Sequence, residues 1–241
     1  MRFQHSTDVR AAFPGLVAGV VVATGVTPRV DAQPQVADFS ARARARLAGG
    51  AEAGLAEIQA WRRAYAALGL KPTQYRCAAE ALLRRLRIDG ELPRLHPLVD
   101  LCNAVSAAYA IPVAALDLDR VSGNLTVRHA IGDEEYVTFA GDVERPQPGE
   151  ITFVDAAGRA HARRWTNRQS GWSAVRPQTS NVLIVAEALH DTAAADVPRL
   201  VDELSAELTA LWSAPVTRTV LDGEAPGCEV PTAAGGLTRQ R

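Results

Sequence analysis

The stretch Pro97-Leu98-Val99-Asp100-Leu101-Cys102-Asn103-Ala104-Val105-Ser106-Ala107-Ala108-Tyr109-Ala110-Ile111-Pro112-Val113-Ala114-Ala115-Leu116-Asp117 decides the fold class, because two periods meet inside it. Apolar residues at helical spacing predict a helix over 98–110. Ile111-Pro112 ends it, since a residue before proline is pushed out of the α region. From Val113 the period moves toward two. Short runs at 113–117, 125–129, 135–139, 151–155, 160–165 and 181–188 predict strands. Turn signals separate them at Ser122-Gly123-Asn124, Gly132-Asp133, 146–149 and Ala157-Gly158. Upstream, the β-branched run 16–23 reads as a buried strand and is too short for the ~20 apolar residues that span a bilayer. Helices are predicted over 36–47, 52–68 with Gly69 as its stop, and 75–87 with Thr73 as its cap. A last helix, 197–212, carries Leu200, Leu204, Leu208 and Leu211 on one face. Helices beside a mostly antiparallel or mixed sheet define an α+β fold rather than a doubly wound one.

The 241 residues carry a net charge of −1, which excludes a generally basic nucleic-acid binder. Of the 26 basic residues, 25 are arginine and only Lys71 is lysine. Arginine's forked donors suit phosphate and carboxylate. The three cysteines form no C-x-x-C pair, and the five histidines form no H-E-x-x-H. A disulfide framework and a sequence-encoded metal site are therefore not expected. Nucleotide-binding glycine motifs and a G-x-S-x-G elbow are missing too, so no cofactor is expected. With no signal-peptide pattern at the start, the expected location is cytoplasmic, without membrane contact. The organisation expected is 1–64 packed onto the core, a main domain over 65–215, and a mobile tail over 216–241.

Two stretches and one carboxylate carry chemistry. Asp100 and Asn103 share a face near a helix start; the plain reading is Asp at the positive end of a helix dipole. The run Arg163-Arg164-Trp165-Thr166-Asn167-Arg168-Gln169-Ser170-Gly171-Trp172 crowds arginine, tryptophan and polar groups between strands, where ligands often bind. Glu187 lies in a buried-looking strand and needs a partner or a task. Between Arg62 and Arg94 eight basic residues face three acidic ones, which permits a nucleic-acid face.

In order along the chain, these residues resemble the B3/B4 domain of the phenylalanyl-tRNA synthetase beta chain, and more closely its free-standing relatives, the B3/4 domain-containing proteins. The pattern R-P-[VL]-V-D-x-[ST]-N is similar to Pro97-Leu98-Val99-Asp100-Leu101-Cys102-Asn103, and Q-P-M-H-A-F-D to 111–117. A V-R-x-A strand looks like Val127-Arg128-His129-Ala130. A G-G-x-x-S loop and a T-x-N strand look like Asn167-Arg168-Gln169-Ser170 and Thr179-Ser180-Asn181. The likeness spans roughly 65–190. It implies a central cavity for an aminoacyl group and a tRNA 3′ end. It also implies hydrolysis of a misacylated aminoacyl-tRNA ester without ATP. The family's histidine corresponds to Ala114 here, its glycine pair to Asn167 and Arg168, and its glutamate only roughly to Glu187.

On this resemblance Glu187 or Asp100 would position water or the substrate amine. Asn103, Asn181 and Ser170 would give neutral hydrogen bonds. Thr179, Asn167, Trp165, Ala114 and His129 would line the substrate site, with His96 and His129 as further proton carriers. Arg163, Arg164 and Arg168 would meet the terminal phosphates. The alternatives are a non-catalytic module for tRNA or an amino acid, and an enzyme for a small amino-acid derivative.

Overall fold

The computed structural model describes residues 1–231. Along the chain run β1 (Arg2–His5), α1 (Thr7–Ala12), β2 (Val17–Thr24), α2 (Gln33–Leu47), α3 (Ala56–Ala67), α4 (Ala78–Asp89) and α5 (Pro97–Tyr109). Strands β3 (Val113–Asp117), β4 (Leu125–His129), β5 (Tyr136–Val137), β6 (Val143–Glu144), β7 (Ile151–Asp155), β8 (Ala162–Arg163), β9 (Arg168–Gln169) and β10 (Asn181–Ala188) follow. Then come α6 (Ala193–Trp212), β11 (Val216–Leu221) and β12 (Gly227–Glu229). Two four-stranded sheets result, ordered β12-β1-β4-β7 and β11-β2-β10-β3, with short ribbons β5–β6 and β8–β9. Only the β1–β4 pair is parallel among the described strands. The fold is α+β, as the change of period at Pro112 implies.

Central strand β2 is buried over Val17–Ala23, which is why its sequence is apolar without alternation. Helix α6 crosses it so closely that a Cβ at Gly19 would collide with Val201. Helix α5 is buried along most of its length and ends at Ala110 in the left-handed region (φ 55°). There the Ser106 hydroxyl donates to the Ile111 carbonyl at 2.7 Å, fixing the turn into β3. No helix among the described residues is long and apolar enough to cross a membrane.

Three expectations change. The segment 1–64 supplies β1 to one sheet and β2 to the other, so it is woven into the core rather than laid upon it. The segment 216–231 forms β11 and β12, paired with β2 and β1. The expected mobile tail therefore does not begin at 216, and residues 232–241 lie outside the described residues. Helix α4 starts at Ala78, not Tyr75, and Thr73 does not cap it. The Ala78 N–H donates instead to the Thr166 carbonyl at 2.8 Å, from a distant loop.

Candidate functional site

Strands β3 and β10 pair so that Ala114 lies opposite Val185. Alternation along a strand puts Val185 and Glu187 on one face. Both face a cavity of about 70 Å³ lined also by Ala114, Leu116, Phe153, His161 and Trp165, with Asn167 and Arg168 among its remaining neighbours. The two sheets meet here, since Phe153 comes from β7 and Glu187 from β10.

Glu187 is 2% exposed. Its Oε1 accepts from His5 Nε2 at 2.7 Å and from the Trp165 indole N–H at 2.9 Å. Arg10 NH2 lies 3.2 Å from His5 Nδ1, and its NH1 donates to the Leu16 carbonyl. A guanidinium can only donate. Nδ1 is therefore the acceptor, the imidazole proton sits on Nε2, and the bonds run from Arg10 through His5 to Glu187. Burial lowers the Arg10 pKa, opposed by the charges of Glu187 and Asp222. Glu187 Oε2 has no protein hydrogen-bond partner among the described residues, so an otherwise anchored carboxylate keeps one oxygen open for a donor.

Trp165 reaches Glu187 because the chain bends unusually. Arg164 and Trp165 both have positive φ, 48° and 59°. Such backbone costs roughly 1–3 kcal/mol per residue unless the surroundings hold it. Glu150 does so. It accepts from Arg163 Nε and NH2 at 2.9 and 2.8 Å and from the Arg164 backbone N–H at 2.8 Å. Burial raises the Glu150 pKa, but these donors outweigh it and hold the carboxyl below its usual range. The Trp165 N–H meets the Ile151 carbonyl at 2.7 Å. Trp61 and Phe13 close edge-on against the indole, with centroids at 4.9 and 5.0 Å. Asn167 donates to the Arg76 carbonyl, and Thr166 Oγ1 meets the Tyr65 hydroxyl, which ties the bend to α3 and α4.

Thus Glu187, Trp165, Asn167, Ala114 and Arg168 line one cavity; the other candidates lie elsewhere. Asp100 is buried, but it accepts from the Leu95 and His96 N–H groups and braces the start of α5. This is the helix-start reading, and neither Asp100 nor Asn103 lines the cavity. His96 Nδ1 accepts from the Leu98 N–H; burial lowers its pKa against the pull of Asp100. Ser170 is buried and donates to the Val137 carbonyl. Thr179 donates to Asp117, Asn181 to Asp119, and His129 Nδ1 to the Gly149 carbonyl.

The arginines also differ from expectation. Arg163 is buried between Glu150 and Glu144, leaving no charge for phosphate. Arg168 is exposed but shares Glu144, and Arg164 stacks on Tyr75. The basic face of 62–94 is partly paired, five of its arginines sharing three carboxylates. Arg62 and Arg76 pair with Glu80, Arg84 and Arg87 with Glu52, and Arg85 with Asp89.

Sequence reasoning missed His5, Arg10 and His161. Buried His5 follows Phe3 at strand spacing, a signal that was present in Arg2–His5. His161 Nδ1 sits 2.8 Å from Ser173 Oγ, and its Nε2 lies 3.3 Å from Asp155. Burial would raise the Asp155 pKa. The His161 imidazole and the backbone N–H groups of Arg159 and Ser122 instead lower it to about 2. Away from the cavity, Glu57, His190 and Asp196 come close enough to hold a metal ion. Arg46 and Arg199 already neutralise the two carboxylates, so the group reads as an ion-pair cluster.

Comparison with known proteins adds a lineage. The B3/4 domain family model matches residues 60–205. The phenylalanine–tRNA ligase beta subunit of Fusobacterium nucleatum is 36% identical over 74 residues, which is 31% of this chain and 9% of that protein. The same subunit of Mycolicibacterium paratuberculosis is 36% identical over 114 residues, 47% of this chain and 13% of that one. The chain thus matches only about a tenth of the length of these relatives. A crystal structure of an N-terminal fragment of the Pyrococcus horikoshii phenylalanyl-tRNA synthetase beta subunit superposes with a TM-score of 0.48 at 8% identity. It covers 89% of this chain and 49% of that fragment.

Proposed function

Because the chain belongs to the B3/4 domain family, we propose that its cavity receives the aminoacyl group of a misacylated aminoacyl-tRNA and hydrolyses the ester without ATP. One observation carries this reading. Glu187 is anchored on Oε1 by His5 and Trp165 and leaves Oε2 open in a mostly apolar cavity. A carboxylate oxygen that no protein donor occupies is free to accept a bond from an incoming ligand. The α-ammonium or a side-chain hydroxyl of an amino acid meets it, and the Val185, Leu116 and Phe153 walls suit the carbon skeleton.

An aminoacyl ester is already activated, so its cleavage needs an oriented water and no covalent nucleophile. Water attacks the carbonyl carbon. The ester bond to the ribose oxygen breaks, and that oxygen leaves with a proton. Where the family pattern places a histidine, this chain has the methyl group of Ala114; His5, from β1, bonds Glu187 without itself lining the cavity.

One observation favours a second reading, a module that binds the aminoacyl end without cleaving it. The side-chain donors beside the cavity are committed, Asn167 to the Arg76 carbonyl and Gln169 to the Ala115 carbonyl. A developing oxyanion would have to recruit them. A deacylation assay with a panel of mischarged tRNAs separates the readings. Hydrolysis of one class, falling about a hundredfold or more in E187Q, supports the enzyme. Binding of charged tRNA without turnover supports the module. Neither binding nor turnover across the panel ends both.

A further inference from the structure

A second groove shares no lining residue with the Glu187 cavity. It lies between α2 and the connection from α4 to α5, with a volume of about 190 Å³. Val36, Ser40 and Arg44 recur at helical spacing along α2 and form one wall. Leu92 and Arg94 belong to the opposite wall, and Asp100 reaches in from the first turn of α5. Two of these side chains are polar and buried: Ser40 is 5% exposed and Asp100 6%. Asp100 Oδ1 is occupied by the Leu95 and His96 N–H groups, but Oδ2 has no protein hydrogen-bond partner among the described residues. Ser40 is unlike an ordinary helical hydroxyl, which bonds back to the carbonyl four residues earlier. Thr209 does so in α6, donating to the Ser205 carbonyl at 2.9 Å. Ser40 Oγ makes no such bond to Val36, nor to any other described residue, and faces the groove instead.

The charges around these two groups balance without pairing. Arg44 and Arg94 are exposed at the rim, and neither forms an ion pair with a described carboxylate. Arg44 NH2 donates to the Gly90 carbonyl at 2.9 Å, which holds its guanidinium at the groove and leaves its other donors free. The groove therefore offers acceptors at its buried side, from Asp100 and Ser40, and cationic donors at its rim. A simple anion would meet the Asp100 carboxylate, and a simple cation would meet two guanidinium groups. A molecule carrying both an ammonium and a carboxylate meets neither objection. Val36, Leu92 and Pro93 give it an apolar wall.

We propose that this groove binds a free α-amino acid with an apolar side chain. The ammonium would donate to Asp100 Oδ2 and Ser40 Oγ, and the carboxylate would accept from Arg94 and Arg44. Charge-assisted bonds of this kind are the strong ones in a small site. The side chain would lie on Val36 and Leu92, and Glu91 at the rim disfavours an acidic one. The site is separate from the Glu187 cavity and does not depend on what that cavity does.

The test is calorimetric titration of the full chain with L-valine, L-leucine, L-methionine and L-phenylalanine, and with L-glutamate as counter-probe. At least one of the four should bind, and L-glutamate should not. The N-acetyl derivative and the carboxamide of the bound amino acid should each bind at least about tenfold more weakly, as losing a charge-assisted hydrogen bond requires. R94A should weaken the amino acid about tenfold while binding the carboxamide much as the wild type does. S40A should cost about threefold or more. Ser40 bonds nothing else, so S40A keeps the fold, whereas D100N would also disturb the start of α5. E187Q should bind as the wild type does, because Glu187 lines the other cavity. Failure of all four amino acids to bind would overturn the proposal, and so would equal affinity in wild type, R94A and S40A. Binding lost in E187Q alone would place the amino acid in the Glu187 cavity and overturn it too.

Discussion

Arg163 and Arg120 belong to the same residue type, yet they do opposite things. Arg163 is 6% exposed and locked between Glu144 and Glu150, and its charge is spent on holding a strained bend. Arg120, beside the Trp172 ring, is exposed and holds no carboxylate. The contrast teaches that an arginine-rich segment is not by itself a binding surface. What decides is whether glutamates elsewhere in the fold have claimed the charge. In 163–168 they largely have, in 62–94 they have in part, and around Trp172 they have not.

The first way to break this comparison is E150A. Removing Glu150 leaves buried Arg163 with Glu144 alone, strips the acceptors from its Nε and NH2 and from the Arg164 N–H, and releases the bend at Arg164 and Trp165. A loss of about 3–5 kcal/mol in urea unfolding is expected. A near-neutral result would make Arg163 a mere surface arginine and erase the contrast. Next in size, W165F keeps the ring and removes the indole N–H from Glu187. Loss of a hydrogen bond to a charged group should cost about 1.5–3 kcal/mol by the same measurement.

A pH series sharpens the picture of the cavity wall. Asp155 is held at about 2 against an ordinary 3.8. A lowered carboxylate stabilises the fold fully above the unfolded value and loses that contribution as pH falls through the folded one. Stability should therefore fall as pH drops from about 4 to about 2, and D155N should flatten that part of the acid limb. An unchanged limb would remove Asp155 as a brace for the turn that carries His161. The smallest effect belongs to R120A, whose unfolding free energy should stay within about 0.5 kcal/mol of wild type. A change as large as that of E150A would show that the two arginine regions do not differ.

The helices and most strands were legible because their signals are local. The period change at Pro112, the pre-proline stop and the run 16–23 each lie within a few residues. The α4 cap was misread because its partner is the Thr166 carbonyl, which no local pattern reveals. Glu187 was found from a simple rule, that a carboxylate in an apolar strand needs a reason. Its partner His5 lies 182 positions away along the chain and could not be read from spacing. Asp100 shows the reverse. Its type and place fit a catalytic role as well as a helix start, and only the bonds from Leu95 and His96 separate them. Net charge along a window misses such pairing too, since Glu52 binds Arg84 and Arg87 from outside the window.

The central claim is that the open oxygen of Glu187 receives a donor from an amino acid carried on a ribose. Calorimetric titration with non-hydrolysable aminoacyl-adenosine 3′-amides tests it without depending on turnover. Wild type should bind one of the series. E187Q, of the same shape but with one oxygen replaced by an amide donor, should bind it at least roughly tenfold more weakly, as losing a charge-assisted hydrogen bond requires. Equal affinity in the two proteins would contradict the account.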